Sequence, residues 1–169
     1  RGRLGEHVER VLRLGDALQN ELGLGRGDHF AVMALNGHEF LELYHAAYLG
    51  AGIINPLNLR LAGKELDYIV RDSGTEVVFV DRHFAAAFDQ AMKAAGGKSP
   101  IRRIVLIGEG GPEAPHDLRY DQLVAPWLLH RRPQLWDKPD AFVPDRFMPG
   151  APRPSRHAYL PFSVGPRVC

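Results

Sequence analysis

The chain has 169 residues, of which 45% are apolar and 24% charged, and its formal net charge is +1. These values are typical of a globular protein and exclude a whole-molecule charge that would attract nucleic acid or a membrane surface. No apolar run approaches the ~20 residues that a membrane-spanning helix needs. The single cysteine, Cys169, excludes an internal disulfide and fits a reducing compartment, so we expect a cytoplasmic protein. Because the chain starts at Arg1 and not at Met, we also expect the native amino terminus to lie upstream.

The average composition hides a division of the chain. Residues 1–127 carry 14 basic and 17 acidic side chains, a net charge of −3, whereas residues 128–169 carry seven basic and three acidic ones, a net charge of +4. Eight of the 13 prolines also fall in the last 42 residues. Such a change in proline content and charge marks a boundary between segments of different origin or role.

A strand–helix–strand unit over residues 28–56 organises the first part. An amphipathic helix over residues 7–22 precedes it. Its first strand, residues 30–35, is a short apolar run of the kind that is buried on both faces of a sheet. The helix is expected to start at Asn36, with Glu39 at capping-box spacing, and a second strand follows over residues 53–56.

One face of that helix is expected to pack on the sheet: Phe40, Tyr44, Ala47 and Tyr48. On the other side, His38, Glu42 and His45 recur at helical spacing, which could in principle hold a metal ion. We favour a solvated face, because no fourth ligand is evident.

Helices and strands alternate further along the chain. Helices are predicted over residues 63–73 and 82–95, the second capped by Asp81, and strands over residues 76–80 and 103–107. The fold class is therefore α/β, a partial parallel sheet of about four strands with flanking helices. Residues 108–123 look irregular, and beyond them we expect a proline-rich irregular tail that ends in a cysteine-ligand loop.

Three glycine-containing segments do not qualify as phosphate-binding loops. The glycines of residues 23–27 come before a strand, whereas such a loop follows one. Residues 97–99 read Gly-Lys-Ser, but a helix precedes them and a proline follows. Residues 108–111 follow a strand, yet the prolines at 112 and 115 prevent a helix from starting there, so a turn is the simpler interpretation. No serine lies in a nucleophile elbow, which gives acyl-enzyme chemistry no support.

The sharpest motif is F-x-x-G-x-R-x-C at the end of the chain, formed by Phe162, Gly165, Arg167 and Cys169. A cysteine thiolate is a strong axial ligand for haem iron, and it needs a tight loop around the sulfur. Glycine lets such a loop turn, and a nearby arginine can pair with a haem propionate. The motif therefore favours a haem-thiolate site over an ordinary buried cysteine.

With its flanking residues, this tail resembles the haem-binding region of the cytochrome P-450 monooxygenases. The similarity begins near residue 125 and includes His130, Pro133, Leu135, Trp136, Pro139, Asp140, Phe142, Pro144, Asp145, Arg146 and Phe147. It implies haem as cofactor, with Cys169 as the axial iron ligand, Phe162 packed beneath it and Arg167 near a propionate. The oxygen-activating helix and the E-x-x-R helix of that oxidoreductase family are absent, so we expect haem to bind weakly or not at all.

Residues ~6–120 resemble the amino-terminal segment of the adenylate-forming acyl-CoA synthetases. The residues that carry the similarity are Leu22, Gly23, Gly27, Asp28, Ala31, Val32, Asn36, Glu39, Phe40, Gly50, Ala51, Asn55, Pro56, Leu57, Asn58, Arg60, Leu61, Glu65, Leu66, Tyr68, Ile69, Asp72 and Ser73. The resemblance implies a ligase that joins a fatty or other carboxylic acid to AMP and then to coenzyme A. It gives no catalytic residue, because the ATP, magnesium and coenzyme A sites of that family lie in segments that this sequence does not contain.

The combined interpretation is a truncated chimera without turnover of its own. Residues 1–123 form a partial acyl-CoA synthetase subdomain and residues 124–169 a partial cytochrome P-450 haem-loop segment. Two alternatives remain: a haem-binding oxidoreductase that works through Cys169, and a synthetase fragment that binds an acyl chain or a partner. An unfinished sheet should also leave a strand edge uncovered, so we expect self-association.

Overall fold

The computed structural model describes residues 2–61, 63–96, 99–109, 114–124 and the single residue 151. The predicted tail therefore lies almost entirely outside the described residues. In chain order, the elements are α1 (Gly2–Asn20), β1 (His29–Met33), α2 (His38–Tyr48), β2 (Ile53–Pro56), α3 (Gly63–Asp72), β3 (Val77–Asp81), α4 (Arg82–Ala95), β4 (Arg103–Ile107), β5 (Leu118–Arg119) and α5 (Tyr120–Val124).

The strands form one parallel sheet in the order β2-β1-β3-β4-β5. Strand β1 pairs on both sides, so that Val32 lies opposite Pro56 of β2 and Phe79 of β3. The predicted α/β class with a parallel sheet and flanking helices is confirmed. The sheet has one strand more than predicted, because Leu118 and Arg119 pair with β4 in a segment expected to be irregular.

Two apolar clusters cover the two faces of the sheet. On one face, Phe30, Val32 and Phe79 pack against residues of α1, α2 and α5. On the other face, Ala31 and Val78 pack against residues of α3 and α4. The alternation of side chains along each strand sends successive residues to opposite layers. The architecture is thus a helix–sheet–helix sandwich, in which β3 is the middle strand and β1 lies between β3 and the edge strand β2.

Helix α2 is rotated relative to the prediction. Its buried residues are Glu42, Leu43 and Ala46, whereas Tyr48 is 77% exposed and Phe40 is only partly buried. The expectation that Tyr48 faces the sheet and Glu42 faces solvent is therefore wrong. The physical reason is that α2 packs against α1 as well as against the sheet, which gives Glu42 polar partners inside the structure.

The two predicted helix caps had different outcomes. Gly37, and not Asn36, is the N-cap residue of α2, and it makes no side-chain capping hydrogen bond, so the predicted capping box is not formed. Asp81 caps α4 as predicted, because its side chain accepts a hydrogen bond from the backbone N–H of His83 at 2.9 Å. The bounds of α4 and β4 match the prediction.

Strand β2 forms one edge of the sheet. Exposed apolar side chains lie at the end of α2, in the turn that follows it and at the start of β2, with Tyr48 77%, Leu49 60% and Ile53 44% exposed. An exposed edge strand offers backbone hydrogen-bonding groups to another chain. Among the described helices, none combines the length and the apolar character required to cross a bilayer.

We propose that two copies of the chain associate through this edge. Ile53→Lys should weaken the association, because a charged side chain on an edge strand opposes strand pairing. Sedimentation equilibrium would measure the association, and Tyr68→Lys is the matched control, since Tyr68 is 65% exposed on α3. A monomeric parent at all accessible concentrations would contradict the proposal.

Candidate functional site

The connections of the sheet define a crevice at its carboxyl edge. From β1 the chain runs through α2 to β2, and it then returns through α3 to β3 on the other side of β1. At such a switch point the loops after the two central strands separate, and ligands of open α/β sheets bind there. The residues that follow β1 and β3 are therefore the first candidates for a site.

The end of β3 supplies a hydrogen-bonded acid–imidazole pair. Asp81 Oδ1 accepts from the backbone N–H of His83 at 2.9 Å and lies 2.6 Å from His83 Nδ1. Because Asp81 is fixed by capping α4, it holds the imidazole in one orientation and favours the tautomer with the proton on Nδ1. His83 is about half exposed, so its other ring nitrogen can accept a hydrogen bond at the edge of the sheet.

Two arginines near the same edge bind main-chain carbonyls. Arg82 donates to the carbonyl of Glu109, and Arg119 donates to the carbonyl of Gly108 at 2.8 Å. Gly108 has φ +87°, a conformation that favours glycine, and a Cβ at this position would lie only 3.3 Å from Arg82 Cδ. Both guanidinium groups thus hold Gly108 and Glu109 directly after β4, whereas residues 110 and 111 of the predicted turn lie outside the described residues.

A second polar group is buried between α1, α2 and α5. Glu42 is 1% exposed, and it accepts hydrogen bonds from Arg10 Nε at 2.6 Å and from the Tyr120 hydroxyl at 2.6 Å. In the same layer, Arg13 pairs with Glu9 and donates to the carbonyl of Val124 at 3.2 Å. A buried carboxylate requires such partners, because desolvation of an unpaired charge is costly.

These contacts shift the pKa values of the residues involved. Burial raises the pKa of Tyr120 well above its usual range, and the adjacent charge of Glu42 raises it further. For Arg10, burial alone would lower the pKa, but the hydrogen bond and the charge of Glu42 outweigh this effect and the pKa is raised. Burial lowers the pKa of Arg13. The tyrosine therefore stays a neutral donor to the carboxylate.

The three residues of α2 considered for a metal are not brought together. Glu42 is engaged by Arg10 and Tyr120, while His45 Nδ1 lies 2.7 Å from His7 Nε2. His38 is exposed beside Glu39. In the described ranges, no group of three or more histidine, cysteine or acidic residues is arranged to bind a metal ion.

A cavity of about 330 Å³ lies elsewhere, between α4 and the start of β4. Its lining includes the apolar side chains of Phe88, Met92 and Ile104, with Arg103 and Asp117 among its polar residues. The Arg103 guanidinium is 3.7 Å from the Asp117 carboxylate. The cavity is at the amino end of β4, so it is separate from the carboxyl edge that carries Asp81 and His83.

The residues predicted to bind haem cannot be placed. Phe162, Gly165, Arg167 and Cys169 all lie outside the described residues. Sequence reasoning found Asp81 as a helix cap but missed His83, whose position two residues later was the available signal. It also missed Arg10 and Tyr120, since nothing local to either residue points to a partner on another helix.

The chain is similar to known proteins in both its fold and its sequence. The sheet order and the two helix layers define a doubly wound α/β layer whose carboxyl edge is the expected ligand side. The chain belongs to the AMP-binding enzyme family, which matches residues 5–165. This match runs past the boundary predicted between residues 123 and 124, so that boundary stays a prediction.

Curated relatives come from two classes of enzyme. The chain is 32% identical over 129 residues to 3-methylmercaptopropionyl-CoA ligase of Ruegeria lacuscaerulensis, covering 71% of this chain and 22% of the relative. It is 48% identical over 50 residues to cyclooctatin synthase of Streptomyces melanosporofaciens, covering 29% and 11%. Several cytochrome P-450 proteins are also similar, for instance cytochrome P450 4A2 of Rattus norvegicus at 46% identity over 59 residues, covering 35% and 11%. The similarities to both acyl-CoA ligases and cytochromes P-450 are therefore confirmed.

A solved structure shares the fold. The anthranilate CoA ligase in complex with anthranoyl-AMP aligns with a TM-score of 0.61 and 23% identity, covering 71% of this chain and 22% of that protein. At this identity the likeness supports the fold alone. The chain thus spans about a tenth to a quarter of the length of the proteins named here.

The buried hydroxyl of Tyr120 makes a testable contribution to the pH dependence of stability. Because its pKa is raised on folding, its stabilising effect is complete below the unfolded value near 10 and is lost as the pH rises above it. The parent should therefore lose about 1.4 kcal/mol of unfolding free energy per pH unit above 10 relative to Tyr120→Phe. Urea denaturation between pH 9 and 11 measures this difference.

At neutral pH, Tyr120→Phe should cost about 1–3 kcal/mol, because Glu42 loses a hydrogen-bond donor in a buried position. Tyr68→Phe serves as the control, since Tyr68 is exposed and should match the parent at every pH. If the unfolding free energies of the parent and Tyr120→Phe fell equally between pH 9 and 11, the Tyr120 hydroxyl would not be the cause of the alkaline loss of stability.

Proposed function

We propose that the chain joins the amino-terminal α/β layer of an acyl-CoA ligase to a haem-ligand segment of cytochrome P-450 type, and that these 169 residues alone turn over neither reaction. The observation that carries the ligase part is the five-stranded parallel sheet with helices on both faces, which a solved anthranilate CoA ligase shares over 71% of this chain. The whole protein to which this layer belongs would act on a carboxylic acid.

The proposed reaction of the whole protein is ATP-dependent. A carboxylate oxygen attacks the α-phosphorus of ATP, which releases pyrophosphate and leaves an acyl-AMP. The thiol of coenzyme A then attacks the acyl carbon, an acyl–sulfur bond forms and AMP departs. Both steps require positive charge and N–H donors around the phosphates.

The described residues at the carboxyl edge of the sheet offer few free positive charges or N–H donors for phosphates. Arg82 and Arg119 are the arginines nearest to the turn after β4, and both donate to backbone carbonyls. Asp81 places a negative charge beside His83 at the end of β3. These contacts support a role of the layer as a scaffold, with the phosphate-binding groups supplied by other segments.

Pyrophosphate exchange tests the ligase part of the proposal. The purified chain, given ATP, Mg²⁺ and a range of aliphatic and aromatic carboxylates, should incorporate no label from pyrophosphate into ATP above the background without carboxylate. A complete adenylate-forming ligase, assayed in parallel, is the positive control. Carboxylate-dependent exchange that disappears in the His83→Gln variant would overturn the scaffold role and identify the sheet edge as a working site.

A haem-binding function is the second candidate, and a specific observation favours it. The F-x-x-G-x-R-x-C motif ending at Cys169 accompanies similarity to several cytochromes P-450. Under this proposal Cys169 is the axial ligand, and Phe162, Gly165 and Arg167 shape the loop and meet the porphyrin. A thiolate ligand donates electron density to the iron, so it leaves a signature in the haem spectrum.

Reconstitution with haem tests that candidate. After reduction and addition of carbon monoxide, the parent should show the red-shifted Soret band of thiolate-ligated haem, and Cys169→Ala should lose it. Ser163→Ala is the matched control, because it alters the same segment without touching the four motif residues. Identical spectra for the parent and Cys169→Ala would exclude Cys169 as the iron ligand.

A third possibility is a ligase fragment that binds an acyl chain or a partner without turnover. The cavity beside α4 is the described feature that favours it, because apolar side chains from α4 and β4 line it. This possibility shares the scaffold role of the first proposal and differs from it only in having a ligand.

A further inference from the structure

Two imidazole rings connect the start of α1 to the middle of α2. His7 Nε2 and His45 Nδ1 are 2.7 Å apart, and the ring centroids are 4.9 Å apart in an edge-to-face arrangement. Both side chains are half-buried. A nitrogen–nitrogen distance of 2.7 Å requires one ring to donate a proton and the other to accept it.

The segment held by this contact has little apolar anchorage. Of the described side chains between residues 4 and 8, none is buried, and Leu4 and Val8 are 72% and 50% exposed. The first buried side chain of α1 is that of Glu9, followed by Val11. Segments with few buried apolar contacts open at low free-energy cost, so the His7–His45 bond carries much of the attachment of these two turns.

We propose that the His7–His45 pair is a pH-sensitive latch that holds the first two turns of α1 on α2 and releases them in acid. When both rings are neutral, or when only one is protonated, one ring still offers a lone pair and the bond persists. When both are protonated, neither ring can accept, and two positive charges face each other. The release needs both histidines, which distinguishes the latch from a general loss of stability.

The charged and titratable groups around the pair belong to three elements. On α1, Glu6 precedes His7, and Arg10 lies one turn beyond it and is bonded to Glu42 of α2. On α2, the Tyr48 ring centroid is 6.4 Å from that of His45. From α5, the Tyr120 hydroxyl donates a hydrogen bond to Glu42, and the negative charge of Asp121 contributes to raising the pKa of Arg10. Glu42 is thus already committed to two donors, so it cannot neutralise a doubly protonated pair without breaking those bonds.

Hydrogen–deuterium exchange of the full chain at pH 7.5 and 5.0 tests the latch, with rates corrected for the intrinsic effect of pH. Protection of the amides of residues 6–9, which have acceptors one turn earlier in α1, should fall about threefold to tenfold in acid, the range that the loss of one hydrogen bond gives. Amides of α3 and α4 should change less than twofold. This measurement on the parent decides the proposal even where a variant fails to fold.

Two variants add specificity. In His7→Ala and in His45→Ala, whose side chains can neither donate nor accept, the amides of residues 6–9 should already be weakly protected at pH 7.5 and should change less than twofold on acidification. His38→Ala is the matched control, because His38 is an exposed histidine of the same helix α2, and it should behave like the parent. Unchanged protection in the parent, or a parent-like response to acid in both variants of the pair, would overturn the latch.

Discussion

The burial of strand β1 on both of its faces is the constraint on which the rest of the structure depends. Phe30, Ala31 and Val32 are fully buried, and the strand has a hydrogen-bonded neighbour on each side. A parallel strand in this position must be covered by two helix layers. The chain meets the requirement by sending α2 to one face and α3 to the other, and the reversal of strand order at β1 follows from those two crossovers.

The layer formed by α1, α2 and α5 carries buried charged side chains, which the opposite layer lacks among the described residues. Glu42 is fixed between Arg10 and Tyr120, which come from positions 32 residues before it and 78 residues after it. An apolar side chain of similar volume could stabilise such a position as well. The carboxylate instead fixes how the helices are arranged, because it can accept both hydrogen bonds only in one relative placement of α1, α2 and α5. The short α5 is thereby fixed directly before the residues that resemble a different family.

Sequence patterns predicted the elements better than the contacts between them. The bounds of α4 and β4 were correct because each is a local pattern: a capped helix and a short apolar run. The inward face of α2 was only partly right: Phe40 and Ala47 pack against the core, but Tyr48 is exposed and Glu42 is buried. The aromatic row, with Phe40 and Tyr44 rings 5.2 Å apart, continues past the part of the helix that faces the core. Burial of Glu42 depends on α1 and α5, and no window of sequence around α2 contains them. Strand β5 is only two residues long, too short for alternation to indicate it.

In the candidate sites, too, local sequence patterns predicted single features but not the contacts between elements. The haem-ligand motif could be proposed from sequence because its four residues lie within eight positions, and it stays a prediction because these residues lie outside the described ones. At the sheet edge, Asp81 was recognised as a cap, but its hydrogen bond to the His83 ring depends on how α4 leaves β3. The arginines at this edge are used to hold the turn after β4, and the described side chains there include one acid–imidazole pair. Under the proposed scaffold role, this layer would supply position and the reacting groups would come from other segments. The general rule that open α/β sheets bind ligands at their carboxyl edge is what directs attention to the ends of β1 and β3.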